Sequence, residues 1–387
     1  MTHDFNRIIE RRQTESIKWN LYDEDVLPMW VADMDFLCPP AVIEALRKRA
    51  DHGVFGYAQE PPELRGIIVD RLKRRYDWTI QPDWITFPPN VFVGFHLAAH
   101  ATCEPGDGVA AHTPIYFPIL LVPPNVRLQG QLTEMSRNPD GRYEIDFDAF
   151  EASLDGRSKL FILCNPHNPI GRVYSRSELE QIAELCLKHD LAICSDEIHA
   201  DFVYDGEKHI PIASLSPEIA DRTITLYSPA KSFNIAGIGF SFAIIPNEEL
   251  RKRYEEAKQG LVAHPGVMGY TAAVPALRDS DGWFEELLPY LQENRDTAAR
   301  FVAEQIPGVS MTPLEGTYLA WLDCRSLGLD RTPHEFFLEK AKVATVDGAI
   351  FGAGGEGFAR LNLACPRPHL LEGLGRIKRA IEARLVA

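Results

Sequence analysis

The chain has 387 residues, 45% hydrophobic and 25% charged, a composition typical of a soluble globular protein with one large and one smaller domain. Its formal net charge of −15, without any basic run, argues against nucleic acid and anionic membranes as partners. Because the first twenty residues are polar and no run of about 18 apolar residues occurs, we expect a cytoplasmic protein without a signal peptide or membrane span.

Between about residues 90 and 275, short apolar runs alternate with amphipathic stretches. The stretch SRSELEQIAELCLKHD predicts a helix that begins with a capping box between Ser175 and Glu178. Such alternation is typical of a mostly parallel sheet with helices on both faces and ligands at the carboxyl ends of its strands. Five runs predict buried strands followed by loops: GDGVAAHTPIY, SKLFILCNPHNP, LAICSDEIHADFVY, DRTITLYSPAKSF and GFSFAIIP.

The C-terminal part of the chain has a different pattern. A long helical stretch (FEELLPYLQENRDTAARFVAEQ) precedes two strands (TYLAWLD and FARLNLACP) and a closing helix (HLLEGLGRIKRAIEARLV), which is typical of an α+β domain. We expect the first 45 residues to pack with it. The predicted large domain is therefore 46–284, and the predicted small domain combines 1–45 and 285–387.

Two polar residues follow apolar runs at points where a buried strand should end. Lys231 lies in SPAKSFN, where a sheltered amine can lose its proton and attack an aldehyde, although a surface lysine is the alternative. Asp196 ends the run LAICS and could hold a protonated heterocyclic nitrogen, or be an ordinary helix cap or loop acid. The spacing of Asp196, Glu197 and His199 also resembles metal ligands, but no further ligand set follows, so we expect no metal.

Two further residues are candidates because of their surroundings. Asn168 lies in the proline-rich loop NPHNPIG, which could fix its amide as a hydrogen-bond donor, although Asn and Pro are also common turn residues. Arg360 lies within an apolar strand pattern and therefore needs an anion, either a substrate carboxylate or the acid of an internal salt bridge.

In order and spacing, these segments resemble the fold-type I pyridoxal 5′-phosphate (PLP) enzymes of the aminotransferase class I/II superfamily. The closer match is the MalY/PatB-like cystathionine β-lyase branch, for which DEIHAD and NPHNP are more specific than the lysine motif. The resemblance implies an α/β fold, with a mixed, mostly parallel seven-stranded sheet between helices and a smaller α+β domain. Nine motifs carry it over nearly the whole chain: MWVADMDF (29–36), HGVFGY (52–57), PGDGV (105–109), TPIYFP (113–118), NPHNPIGRVY (165–174), SDEIHADFVYDGEKHIP (195–211), SPAKSFNIAG (228–237), FSFAIIPN (240–247) and FARLNLACPR (358–367).

The resemblance also implies a role for individual residues. Lys231 would be the Schiff-base lysine and the catalytic base, and Asp196 would pair with the pyridine nitrogen. Arg360 would bind the substrate α-carboxylate, with Trp30 and Asp33 on the substrate side. The other implied cofactor contacts are Asn168 and His199 at the phenolic oxygen, Tyr116 stacked on the ring, Ser228, Asn90, Val91 and Phe92 at the phosphate, and Tyr57 at the phosphate of the neighbouring subunit.

Two features depart from the family pattern at the expected phosphate site. The position eight residues after the lysine, usually Lys or Arg in relatives, is Gly239, and the loop 89–92 reads PNVF where relatives have glycine followed by small apolar residues. Loss of a cation contact would weaken PLP retention by about 1–3 kcal/mol unless Arg172 or another subunit replaces it. The GAGGEG run (352–357) fits a dinucleotide pattern, but a strand follows it, so we expect a flexible loop at the active-site side.

The implied function is a PLP-dependent carbon–sulfur β-lyase of cystathionine or other S-substituted L-cysteines, which gives a thiol, pyruvate and ammonia. The alternative is a PLP-dependent aminotransferase of an amino acid, and a third hypothesis is a regulator that uses the fold to bind a partner. The resemblance further implies a homodimer with composite active sites and a small amino acid as substrate.

Overall fold

The computed structural model describes residues 3–386, in which strands and helices alternate along the chain. Its strands are β1 (Leu27–Pro28), β2 (Ile85–Thr86), β3 (Gly108–Thr113), β4 (Gln129–Glu134), β5 (Ser136–Arg137), β6 (Tyr143–Glu144), β7 (Ser158–Cys164), β8 (Ala192–Asp196), β9 (Thr223–Tyr227), β10 (Phe242–Ile244), β11 (Ser310–Met311), β12 (Leu319–Asp323), β13 (Val343–Ala344), β14 (Val346–Asp347) and β15 (Phe358–Asn362). Its α-helices are α1 (Ile17–Asn20), α2 (Pro40–His52), α3 (Leu64–Tyr76), α4 (Val91–Thr102), α5 (Phe117–Leu120), α6 (Val122–Val126), α7 (Phe147–Ser153), α8 (Arg176–Lys188), α9 (Pro217–Ala220), α10 (Pro229–Ser232), α11 (Glu248–Lys258), α12 (Val267–Asp279), α13 (Asp281–Gln305), α14 (Pro333–Phe336) and α15 (Arg367–Val386).

A seven-stranded sheet in the order β2-β10-β9-β8-β7-β3-β4 forms the centre of the fold. Strands β4, β3, β7, β8 and β9 pair in parallel, whereas β10 runs antiparallel to both of its neighbours. This confirms the predicted α/β fold with a mixed, mostly parallel sheet. The five predicted strand runs correspond to β3, β7, β8, β9 and β10, and every residue of β9 is buried, as expected for a strand covered on both faces.

Helices cover both faces of this sheet because the side chains of each strand alternate between them. On β7, Ile162 packs with the core that includes Phe95 of α4, whereas Phe161 packs with the core that includes Ile182 of α8. Helix α8 begins with the predicted capping box, in which Ser175 and Glu178 each bind the other's backbone N–H.

A second sheet, in the order β11-β12-β15-β14, is antiparallel, and the N-terminal strand β1 pairs in parallel with β13. Helices α13 and α15 share one apolar core with β12 and β15. The predicted domain boundaries at residues 46 and 284 fall inside α2 and α13, so the exact bounds remain a proposal. Across residues 3–386, no helix is both long and apolar enough to cross a membrane.

Candidate active site

A cavity of about 430 Å³ lies at the carboxyl ends of β3, β7, β8 and β9. Parallel α/β sheets commonly place ligands at this edge, because the polar ends of several strands meet there. The cavity brings together eleven of the thirteen predicted site residues: Trp30, Asn90, Val91, Phe92, Tyr116, Asn168, Asp196, His199, Ser228, Lys231 and Arg360.

Lys231 lies in the short helix α10, directly after β9 and Ser228. Its Nζ donates a hydrogen bond to the carbonyl of Ala32 at 2.6 Å. Burial and the charge of Arg360 lower the pKa of Lys231 to about 8, against the opposing effect of Asp33 and Asp196. A lysine with this pKa is unprotonated in an appreciable fraction of molecules near neutral pH, so it can act as a nucleophile.

Asp196 is the last residue of β8, and its side chain is buried. One carboxylate oxygen accepts a hydrogen bond from the backbone N–H of Ile198 at 3.2 Å, and no cation pairs with this acid in the described part of the chain. Burial raises the pKa of Asp196 to about 7 against the hydrogen bond from Ile198, and the charge of Glu197 adds to the rise. A buried acid without a cation suits a protonated ring nitrogen.

Arg360 is buried on β15, far from these residues in the sequence and in the C-terminal part of the chain. Its Nη1 donates to Asn168 Oδ1 at 2.9 Å, and its Nη2 donates to the carbonyl of Trp30 at 3.2 Å. Within residues 3–386 its Nε has no hydrogen-bond partner and no carboxylate pairs with it, so the internal salt bridge is not found. Burial lowers the pKa of Arg360 to about 10. Three of its five N–H donors remain for an anion.

The other predicted contacts surround the same space. His199 lies in a turn after β8, and burial lowers its pKa well below the ordinary value, so the ring is neutral at physiological pH. Tyr116 is the residue before α5.

At the far end of the cavity, Asn90 caps α4 by accepting a hydrogen bond from Val93 N–H at 2.9 Å, and Ser228 Oγ donates to the carbonyl of Phe240 at 2.6 Å. The N-terminus of α4 presents backbone N–H groups, which favour a phosphate.

Among residues 3–386, no cation lines the end of the cavity near Asn90 and Ser228 to replace the one expected at position 239. Gly239 lines the cavity with φ +72°, a conformation that favours glycine over any side chain. The expectation that Arg172 could replace the missing cation is wrong, because Arg172 is buried elsewhere. It pairs there with Glu178 at 2.7 Å and with Glu315 at 3.0 Å.

Two predicted residues lie outside the cavity of this subunit. Tyr57 is fully exposed and lines a separate surface cavity of about 670 Å³ beside α2 and α12. Asp33 pairs instead with Arg11 at 2.8 Å and Lys18 at 3.3 Å. A direct contact of Asp33 with substrate therefore has no support in the geometry.

Glu197, next to Asp196, points away from the cavity. Its carboxylate accepts a hydrogen bond from Ser195 at 2.9 Å and pairs with His209 Nε2 at 2.6 Å. Asp196 and Glu197 therefore do not face one common site, as a shared metal ion would require.

Several groups at the site carry no sequence signal. The carbonyl of Ala32 receives Lys231 Nζ and also the hydroxyl of Tyr318, at 2.9 Å. Val346 and Ile350, from the smaller sheet and the turn after it, line the cavity. In the sequence these residues resemble ordinary core positions, and a backbone carbonyl has no side-chain signature at all.

Comparison with known proteins gives a consistent assignment. The sequence profile of the family described as aminotransferase class I and II matches residues 24–377. Cystathionine beta-lyase PatB of Bacillus subtilis is 41% identical, over 98% of this chain and 100% of its own length. Protein MalY of Escherichia coli is 32% identical, over 98% of this chain and 99% of its own. The crystal structure of cystalysin from Treponema denticola, which contains PLP, matches with a TM-score of 0.94 and 35% identity, over 99% of this chain and 100% of that one.

Proposed function

Because the chain belongs to the aminotransferase class I and II family, we propose that it is a PLP-dependent carbon–sulfur β-lyase with Lys231 as its Schiff-base lysine. Its substrates are cystathionine or other S-substituted L-cysteines, and its products are a thiol, pyruvate and ammonia. One observation carries this proposal. A single cavity holds an amine with a lowered pKa, a buried acid without a cation and a buried arginine without an acid.

The residues around the cavity fit PLP along its whole length. The N-terminus of α4 and Ser228 suit the phosphate, and Tyr116 offers an aromatic face to the ring. Asp196 would keep the ring nitrogen protonated, and Asn168, whose Oδ1 is occupied by Arg360, has its amide donor left for the phenolic oxygen. When bound, the cofactor supplies an electron sink for a carbanion at the substrate Cα.

The chain's own residues bind the substrate and move its proton. Arg360 binds the α-carboxylate with its remaining N–H donors, while its bonds to Asn168 and Trp30 fix the plane of the guanidinium. Lys231 Nζ removes the α-proton, after which the bond between Cβ and sulfur breaks and the thiolate leaves. Burial keeps the ring of His199 neutral, and a neutral imidazole still has one N–H group that could donate to the phenolic oxygen of the cofactor.

We further propose that the protein is a cytoplasmic homodimer with composite active sites. Tyr57 follows Val54 and Phe55, which are 60% and 56% exposed, and so ends an apolar segment open to solvent. Clustered exposed apolar side chains commonly mark a protein–protein contact. In a dimer, Tyr57 would reach the phosphate of the partner's cofactor.

The reaction class is tested by incubating the PLP-loaded protein with L-cystathionine and a panel of S-alkyl-L-cysteines, without any keto acid. We expect pyruvate and thiol from the wild type, none from Lys231→Ala, and wild-type rates from Lys340→Ala, which removes an exposed lysine. Turnover that requires a keto acid would instead indicate an aminotransferase. Absence of pyruvate across the panel would contradict the lyase, and activity in Lys231→Ala would contradict the whole proposal.

A further inference from the structure

The segment Trp30–Phe36 borders the active site without being part of a helix or strand. Asp35 N–H donates to the carbonyl of Ala364 at 3.0 Å, and the rest of the segment is held by side chains that donate hydrogen bonds to its backbone. Five consecutive carbonyls each accept at least one such bond: Trp30 from Arg360, Val31 from Asn362, Ala32 from Lys231 and Tyr318, Asp33 from Lys18 and Asn362, and Met34 from Arg11 and Asn234.

The side chain of Asn234 makes three hydrogen bonds to the backbone of this segment. Its Oδ1 accepts from Met34 N–H at 2.9 Å, and its Nδ2 donates to the carbonyls of Met34 at 2.9 Å and Phe36 at 2.8 Å. Its own backbone has φ +54°, in the left-handed region that costs energy for every residue except glycine, though least for Asn and Asp. A strained residue with a fully used side chain points to a positional role.

The held segment in turn fixes the two cations that handle the substrate. The carbonyl of Trp30 orients the guanidinium of Arg360, and the carbonyl of Ala32 receives Lys231 Nζ. Asn234 lies three residues after Lys231, so one short stretch of chain carries both the lysine and the residue that holds the segment over it. The same turn thus sets the spacing between the amine and the carboxylate-binding arginine.

We propose that Asn234 is a positioning residue that clamps the segment Trp30–Phe36 and thereby orients Arg360 toward the substrate α-carboxylate. The proposal rests on the proposed lyase function for its kinetic consequence. Its structural consequence, protection of the segment's backbone, does not depend on any activity.

The test compares Asn234→Gly with Asn234→Asp. Glycine removes the side chain and also relieves the left-handed backbone, so the fold has no new strain to accommodate. Aspartate keeps the acceptor for Met34 N–H but loses both donated bonds. The matched control is Arg127→Gly, because Arg127 is exposed, has φ +61° and lies away from the segment. Hydrogen exchange of residues 30–36 and steady-state kinetics are measured on the PLP-loaded dimer.

In Asn234→Gly we expect exchange in residues 30–36 to accelerate by at least about tenfold, and in Asn234→Asp, which keeps the acceptor for Met34 N–H, to accelerate less, with other regions unchanged. We also expect KM to rise about tenfold with a smaller change in kcat, as when ground-state binding by one charged contact is weakened. Arg127→Gly should match the wild type in both. Unchanged exchange at residues 30–36, or unchanged KM in both Asn234 variants, would overturn the proposal. A wild type that turned over no substrate would contradict the proposed lyase function but not the role of Asn234 as a clamp. The hydrogen-exchange result tests that role without any activity.

Discussion

Within residues 3–386, three buried ionisable residues of the site have no partner of opposite charge. Asp196, Lys231 and Arg360 all have a pKa moved toward the neutral form by burial. Buried groups of this kind reduce stability, and proteins retain them where a ligand completes the pairing. Under the proposed function, these three groups would be completed by the cofactor nitrogen, the cofactor aldehyde and the substrate carboxylate, respectively.

Replacing Arg360 by lysine tests the carboxylate site. The charge remains, but the two-pronged geometry of the guanidinium is lost. We expect KM for the best substrate to rise roughly 30- to 100-fold, with kcat reduced less. Arg325→Lys, at an exposed arginine beyond the other end of the same sheet, should leave both constants unchanged. An Arg360→Lys enzyme with wild-type KM would show that the carboxylate binds elsewhere.

Replacing Asp196 by asparagine tests the buried acid through the stability of the cofactor-free protein. Because the folded state raises the pKa of Asp196 to about 7, the stabilising contribution is present at low pH and is lost as the pH rises through 7. The difference in unfolding free energy between Asp196→Asn and the wild type should therefore shift by about 3 kcal/mol in favour of the variant from pH 5 to pH 8, as measured by urea denaturation. The control variant Asp83→Asn, at an exposed position, should show the same dependence of unfolding free energy on pH as the wild type. A constant difference between wild type and Asp196→Asn would refute the raised pKa.

Some of these residues could be found from the sequence and others could not. Lys231, Asp196 and Arg360 stand out because each is a charged residue at the end of an apolar run or within one. The role of Asn234 depends on a positive φ and on contacts with residues about 200 positions away, which no local pattern encodes. The same holds for the displacement of Asp33 from the cavity, since its partners, Arg11 and Lys18, are fixed only by folding.

At the scale of elements, the buried strands were predictable because parallel strands covered on both faces are nearly continuous apolar runs. The arrangement of the N-terminal segment could not be predicted from the sequence, because the segment lacks long helices and strands and is held by ion pairs. Lys18 Nζ pairs with Asp35 at 2.7 Å, and both side chains are almost fully buried, with Arg11 at 2.6 Å from the same acid. This cluster joins the start of the chain to the segment that carries Trp30.

Lys18→Met tests how strongly that cluster anchors the segment. Removing one partner leaves Asp35 buried with its charge partly uncompensated, so the free energy of unfolding should fall by about 3–5 kcal/mol. Lys340→Met breaks an exposed pair with Glu339 and should cost less than about 1 kcal/mol. Denaturant titration of the cofactor-free protein measures both. Equal effects of the two substitutions would mean that the buried pair of Lys18 and Asp35 contributes no more to the free energy of unfolding than the exposed pair does.

At the scale of the whole molecule, the described chain, residues 3–386, places no cation at the end of the cavity proposed to bind the phosphate, and it leaves Tyr57 in solvent. A homodimer with shared sites accounts for both observations. Under the proposed function, residues at the carboxyl ends of the large sheet would bind the cofactor, and Arg360 on β15 of the smaller sheet would bind the substrate. Catalysis on this account requires two sheets and two subunits to meet at one cavity.

Mixed dimers test the shared site. Lys231→Ala and Tyr57→Ala subunits are each expected to be impaired alone. After unfolding and refolding of an equal mixture, half of the dimers are hybrids, and one of the two sites in each hybrid has both residues intact. We expect about a quarter of wild-type activity, measured as pyruvate release. Activity no higher than the mean of the two parents would place Tyr57 within its own subunit's site or outside any site.

The most direct measurement of the central claim is peptide mapping after borohydride reduction of the PLP-loaded wild type. The account predicts a single reduced cofactor, attached to the peptide that contains SPAKSFN at Lys231, and none on the Lys231→Ala protein. Attachment at another lysine, or no attachment to a protein that still releases pyruvate from L-cystathionine, would contradict it.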